Sequence, residues 1–201
     1  MSKRIGYGRT YSMPPVAENP ELKTLQRVVG LLEQAGIPYM LTGSMALNVY
    51  GHPRATNDFD IVIEIETRDE NRLLALFEEN YYVSRDAIRQ ALAQESLFNI
   101  IDNETVFKID LIVKKRTPYA AEQFRRRRVE ELQGFKTLVI SPEDLILAKL
   151  DWSRESLSEM QGRDIGGLIR LVSKNLDFAY MENWASVLGV LDRLRGFYVS
   201  P

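Results

Sequence analysis

Two stretches of the chain alternate apolar and polar positions with the period of a β-strand. In Asp58–Glu66 the residues Phe59, Ile61 and Ile63 share one face, and in Phe107–Val113 the residues Phe107, Ile109, Leu111 and Val113 do the same. Later the period lengthens. From Pro142 onward Leu145, Ile146, Ala148 and Trp152 recur at i, i+3, i+4 and i+7, the spacing of a helix with one buried side.

The punctuation between these stretches fills in the remaining elements. Asn19-Pro20-Glu21 combines an N-cap, a first-turn proline and an acid, opening a helix that runs to about Ala35, where Gly36 supplies a left-handed stop. Ile37–Leu41 reads as a short buried strand, followed by Thr42-Gly43-Ser44 and a brief helix to about Tyr50. Helices are expected near 69–79, 85–94 and 118–127, with a short strand near 81–83. Hairpins are expected at 96–101 with 105–113, around Asp102-Asn103-Glu104, and over 129–140, turning at Gln133-Gly134. After residue 140 the strands stop. Ser141-Pro142-Glu143-Asp144 is an N-cap with a first-turn proline and a capping-box acid, and helices follow over about 142–155, 161–174 and 179–195. The plan is α/β (α+β): an N-terminal arm over residues 1–18, a head over 19–140 with a mixed sheet flanked by helices, and a helical C-terminal region over 141–201 packed against it.

Composition narrows the chemistry. The 201 residues are 45% hydrophobic and 27% charged, ordinary for a globular protein able to bury a real core. Cysteine is absent, which removes disulfides, thiolate metal sites and cysteine nucleophiles. The single histidine, His52, excludes a multi-histidine metal site. A formal net charge of −2 argues against a polycation built to coat nucleic acid. No apolar run is long enough to span a membrane, and the start of the chain lacks the apolar core of a signal peptide, so the expected location is the cytoplasm, with no membrane partner. Catalysis, if any, must come from carboxylates, hydroxyls, lysines, arginines, backbone amides or a metal.

Three features carry candidate chemistry. Gly43-Ser44 lies at a strand-to-helix turn, where a helix start offers free N–H groups to an anion; an ordinary glycine turn capped by serine explains it equally well. Asp58 and Asp60, at i and i+2 of one strand, point together, and a divalent cation is the usual relief for such a pair; the alternative is a solvated acidic face continued by Glu64 and Glu66. Asp110 stands opposite the apolar face of its own strand, so it converges with the pair if the two strands are neighbours. Glu64 is a poorer third ligand, ~13 Å along the strand from Asp60.

Gly43-Ser44, thirteen intervening residues, Asp58-Phe59-Asp60-Ile61 and a later Asp110 together resemble the DNA polymerase β-like nucleotidyltransferase superfamily. Leu41–Ile65, including Arg54-Ala55-Thr56-Asn57, is most similar to the minimal and abortive-infection (AbiEii-type) bacterial enzymes, several of which belong to toxin–antitoxin pairs. The resemblance implies a metal-dependent enzyme that moves NMP from an NTP to an acceptor hydroxyl and releases pyrophosphate. It implies that Asp58, Asp60 and Asp110 are the catalytic and metal-binding residues, holding two Mg²⁺ (or Mn²⁺) about 4 Å apart. It also implies that Gly43, Ser44, Arg54, Lys149 and Asp164 serve the nucleotide.

The C-terminal region adds to this. Lys149 falls inside the apolar arc of its helix, and Asp164 sits among Ile165, Leu168, Leu171 and Val172 on the next. Each is costly there unless paired or bound, so either they form a structural salt bridge or Lys149 meets a triphosphate. Pro142–Lys149 and Arg163-Asp164-Ile165 resemble downstream motifs of the abortive-infection-type enzymes, with one departure: Gly167 stands where their fuller motif has a second acid. Between Lys108 and Lys136 nine basic and four acidic residues leave a local net of +5, centred on Arg125–Arg128. That separation suits an RNA, tRNA or polyphosphate partner, or else a solvated helix end crossed by salt bridges to Glu130 and Glu131. His52 reads as a plain loop residue and Trp152 and Trp184 as core. Other readings of the whole are a non-catalytic binding or antitoxin module, and an enzyme for a small acceptor such as an aminoglycoside; protein is a further acceptor class. A deep acidic pocket favours the cationic drug, a basic rim around Arg125–Arg128 favours RNA.

Overall fold

The structure, a computed structural model, describes residues 19–54, 56, 58–154 and 158–198; the expected arm over residues 1–18 lies outside them. Nine α-helices and seven strands alternate in the described chain: α1 Pro20–Gln34, β1 Tyr39–Thr42, α2 Gly43–Val49, β2 Asp58–Ile63, α3 Glu70–Phe77, β3 Tyr81–Val83, α4 Arg85–Gln94, β4 Leu97–Asp102, β5 Lys108–Val113, α5 Pro118–Arg125, β6 Arg128–Leu132, β7 Phe135–Val139, α6 Pro142–Trp152, α7 Glu159–Val172, α8 Phe178–Leu188 and α9 Leu191–Arg195. Asn19 caps α1 as its residue type demands, its side-chain oxygen accepting from the N–H groups of Glu21 and Leu22 at 3.0 and 3.3 Å. The expected last helix is two: Gly189 takes φ 71° and ends α8 in a left-handed cap, and α9 follows it.

The strands form one mixed sheet in the order β3-β4-β5-β2-β1-β7-β6. Two parallel pairings matter for the site. β2 runs alongside β5 in the register Asp58↔Lys108 and Asp60↔Asp110, and β1 pairs with β7 at Leu41↔Val139. β1 also lies antiparallel to β2, with Thr42 opposite Asp60. The alternation in β2 comes out as expected, Phe59, Ile61 and Ile63 being fully buried while Asp58 and Asp60 are half-buried. The strand stops at Ile63, so Glu64 and Glu66 do not extend its acidic face. α1, with Leu22, Leu25, Val28 and Leu32 inaccessible to solvent, belongs to the same core. Each such side chain contributes about 1.5–3 kcal/mol relative to exposure.

Where α6 begins, an ion network ties it to α5, β6 and α8. Ser141 Oγ donates to Asp144 Oδ2 at 2.7 Å, Tyr180 donates its hydroxyl to Asp144 Oδ1 at 2.7 Å, and Arg126 lies 3.3 Å from both Glu143 and Asp144. The Arg126 guanidinium also stacks 3.8 Å from the Tyr180 ring centroid. Arg128 reaches Glu143, Arg125 pairs with Glu122 and Arg127 lies over Phe124. Arg126 and Arg128 are therefore bound into the joint between sheet and helices, while Arg125, with its side chain 72% exposed, pairs only within α5. The run's partners are Glu122, Glu143 and Asp144 rather than Glu130 and Glu131, and none of the four arginines lines the candidate cleft. Among the described residues no helix is long and apolar enough to cross a membrane.

Candidate active site

A cleft of about 530 Å³ opens at the ends of β1 and β2, closed on its far side by α6 and the start of α7. Gly43, Ser44, Arg54, Asp58, Asp60 and Lys149 all line it. A larger hollow of about 880 Å³ beside α1 and the turn at 102–105 contains none of the candidate residues.

The sheet register builds the acidic centre. Asp60 and Asp110 are cross-strand partners, and Asp58 lies two residues along β2 on the same face. Gly43 makes room for them: its φ is +65°, and a Cβ there would fall 2.7 Å from Asp60 Cγ and 2.9 Å from Asp60 Cβ. The helix cap at this turn is Thr42, so Ser44 is not an N-cap; it lies inside the first turn of α2, facing the cleft. Thr56 Oγ1 donates to Asp58 Oδ1 at 2.8 Å and fixes that carboxylate. Burial first, then the charges of Asp58 and Asp110, push the Asp60 carboxyl up to about 6, against the pull of Lys149 and Lys108. Asp110 is 8% exposed, and its Oδ1 is buried without a hydrogen-bond partner.

Crowded carboxylates, one of them driven toward protonation and another with an orphaned oxygen, have the chemistry to receive a cation. The all-oxygen donor set suits a hard ion such as Mg²⁺ or Mn²⁺. As they stand, no three acidic or histidine side chains among the described residues are grouped to enclose an ion. Lys108, whose ammonium lies 3.0 Å from Asp110 Oδ2 and 3.7 Å from Asp58 Oδ2, stands between them.

The cationic wall is built from the tail. Lys149 on α6 reaches Asp164 Oδ2 on α7 at 3.1 Å, so the two inward-facing charges are paired; Arg54 also pairs with Asp164, and His52 Nε2 lies 3.7 Å from its other oxygen. Asp164 is thus a buried anchor, 4% exposed, that gathers Lys149 and Arg54 at the cleft wall rather than facing the cleft itself. Arg54 is held from behind by Asn48, which donates to its carbonyl at 3.0 Å and accepts its N–H at 2.6 Å. His52 is not a plain loop residue. Its ring fills the space over Gly167, where a Cβ would come within 2.6 Å of Nδ1, so a side chain at 167 would have to displace it.

The reading of Trp152 as core also needs correction. It is 62% exposed and lines the cleft, because it lies on the side of α6 that Ala148 and Lys149 turn to the cleft, while Leu150 and Ser153 of the same turn are buried. Trp184 does pack inward, its ring 5.2 Å from that of Tyr119. Sequence reasoning missed Asn48 and Lys108 as site residues, and placed His52 near the site, able to touch a nucleotide, but read it as a loop histidine. Of these only Lys108, two residues before Asp110 on one strand, left a signal in the spacing.

Comparison with known proteins bears on the fold and the family. No curated protein matches the chain in sequence. Among solved structures, ANT(2″)-Ia in complex with adenylyl-2″-tobramycin is similar at 12% identity and a TM-score of 0.57, over 85% of this chain and 98% of that one. The lincosamide antibiotic adenylyltransferase LnuA, lincomycin-bound, is similar at 16% identity and 0.53, over 74% and 96%. A nucleotidyltransferase-like antigenic protein from Paracoccidioides brasiliensis gives 18% and 0.52, over 90% and 94%. These likenesses establish the fold. The family model for aminoglycoside-2″-adenylyltransferase matches residues 24–150, more than half of the chain and both strands of the acidic centre. The chain belongs to the aminoglycoside-2″-adenylyltransferase family, within the polymerase β-like nucleotidyltransferases.

Proposed function

We propose that this protein transfers NMP from an NTP to an acceptor hydroxyl, with Asp58, Asp60 and Asp110 as its catalytic carboxylates. The observation that carries the reading is the cross-strand pairing of Asp60 with Asp110 beside Gly43; Asp60 and Gly43 line a cleft whose other wall is cationic, and Asp110 is buried outside that lining. The acceptor oxygen bonds to the α-phosphorus as the bond from that phosphorus to the β-phosphate's bridging oxygen breaks, and pyrophosphate leaves. Asp110 Oδ1, buried and unpartnered, is the group to take the hydroxyl proton. Gly43 and Ser44 receive the β- and γ-phosphates on backbone N–H groups and the serine hydroxyl. Lys149 and Arg54, held by Asp164, balance the charge that develops on the leaving pyrophosphate. Divalent cations, when bound by the three aspartates, polarise the phosphoryl oxygens. At the other end, Trp152 and Met160 offer an apolar surface to the nucleobase.

For the acceptor, family membership supports a small-molecule hydroxyl. A second reading, an RNA or protein acceptor of the kind used by abortive-infection-type enzymes of toxin–antitoxin pairs, is favoured by the lining itself. Arg54, Lys114, Lys115, Lys149 and Arg154 outnumber the acids there, which suits a polycationic antibiotic poorly.

The test offers α-labelled NTPs one at a time, with Mg²⁺ or Mn²⁺, to a panel of aminoglycosides, a lincosamide, bulk tRNA and cell lysate. Label transferred by the wild type and lost in Asp60→Asn, which keeps its circular dichroism spectrum, supports the reading and names the acceptor class. Equal transfer by Asp60→Asn overturns the assignment.

A further inference from the structure

Lys108 is the residue of the acidic centre that the reaction leaves unexplained. Residue spacing on β5 puts it on the same face as Asp110, and the register with β2 puts it directly across from Asp58. Its ammonium donates to Asp110 Oδ2 at 3.0 Å and sits 3.7 Å from Asp58 Oδ2. A lysine in that place opposes cation binding: with its ammonium 3.0 and 3.7 Å from Asp110 Oδ2 and Asp58 Oδ2, a divalent ion held by the same two oxygens would meet a like charge at close range. Leaving is cheap, since the Lys108 side chain is 42% exposed on a flexible four-carbon stem and a free ammonium is strongly hydrated. Asp110, 11% exposed at its side chain, cannot follow it.

We propose that Lys108 is the site's exchangeable counter-ion. It neutralises Asp58 and Asp110 in the resting protein and withdraws to solvent when a divalent cation enters. The inference rests on the reading of these aspartates as metal ligands and adds to it a residue that sets the threshold. Because an ammonium must be displaced, a bare cation binds weakly, and one arriving with the triphosphate's extra ligands binds well.

The experiment follows Mn²⁺ by the electron paramagnetic resonance signal of the free ion, with wild type, Lys108→Ala and Lys115→Ala, with and without α,β-methylene-ATP. Lys115 lines the same cleft without pairing to these carboxylates and controls for general charge. Lys108→Ala is expected to bind Mn²⁺ without nucleotide about fivefold more tightly than wild type, because one ammonium–carboxylate attraction at ~4 Å in a watery site no longer has to be broken. Lys115→Ala should change little. In parallel, wild-type protein is reductively methylated and Lys108 is read by mass spectrometry; its labelling should rise when Mn²⁺ binds. Bound Mn²⁺ with unchanged or reduced labelling of Lys108, or equal tightening by both variants, overturns the proposal while leaving the metal reading intact. Absence of Mn²⁺ binding by wild type and Lys108→Ala, with nucleotide present, overturns the metal reading and the proposal together.

Discussion

Position 43 accepts only glycine for two separate reasons: its backbone is left-handed, and the Asp60 carboxyl fills the volume a side chain would need. Gly43→Ala is expected to lower stability by about 1 kcal/mol or more, from the backbone alone. Displacing Asp60 should cost about 100-fold in transfer rate, since misplacement of a reacting group by an ångström has that effect. Urea unfolding and turnover measured on the same sample separate the two. At the cleft's apolar end, Trp152→Ala should raise KM for the NTP with little change in kcat. An unchanged KM would remove the base-stacking role. Much of this scale was legible. The i, i+2 spacing of Asp58 and Asp60 and the opposed face of Asp110 follow from strand geometry, and the inward position of Lys149 and Asp164 from helix geometry. Contacts such as His52 over Gly167 were hidden, because nothing local announces that a ring from one loop will rest on a distant helix.

Elements were easier to read than their ends. Nearly every helix and strand lies where caps, prolines and alternation put it, since those signals act within a few residues. The last helix misled because Gly189 lies within an apolar stretch that otherwise keeps a helical period; its left-handed conformation makes the break. The start of α6 shows how an element is fixed in place. Asp144 has no solvent access and receives Ser141, Tyr180 and Arg126, so its removal leaves two hydroxyls without their acceptor and Arg126 with Glu143 alone. Asp144→Ala is expected to destabilise the protein by about 3 kcal/mol, read from denaturant midpoints, and Tyr180→Phe by about 1 kcal/mol. The basic run is divided for the same reason: Arg126 and Arg128 meet Glu143 and Asp144, and none of the four arginines lines the candidate cleft. Charge counted along a sequence does not reveal which acids will stand across from it.

At the scale of the molecule, acid stability has an identifiable contributor in Asp102. Burial raises its pKa, but the N–H groups of Thr105 and Glu104 and the Arg27 guanidinium outweigh this, leaving the carboxyl below its ordinary 3.8. A depressed carboxylate stabilises the fold above the unfolded value and loses that contribution as pH falls through the folded one. Wild type should therefore lose more stability than Asp102→Asn between pH 6 and pH 3, and equal losses would assign the acid sensitivity elsewhere. The site, too, is a property of the whole chain. Arg54, from the loop before β2, finds its anchor in Asp164 on α7, and until that helix exists neither Arg54 nor Lys149 has its holding partner. During synthesis the three aspartates leave the ribosome well before Asp164 does. A nascent chain, or one cut short by a premature stop codon in the stretch between β5 and α7, would carry every acid of the centre without the anchored cations facing them, and on the proposed function would have nothing to balance a leaving pyrophosphate until the protein is nearly whole.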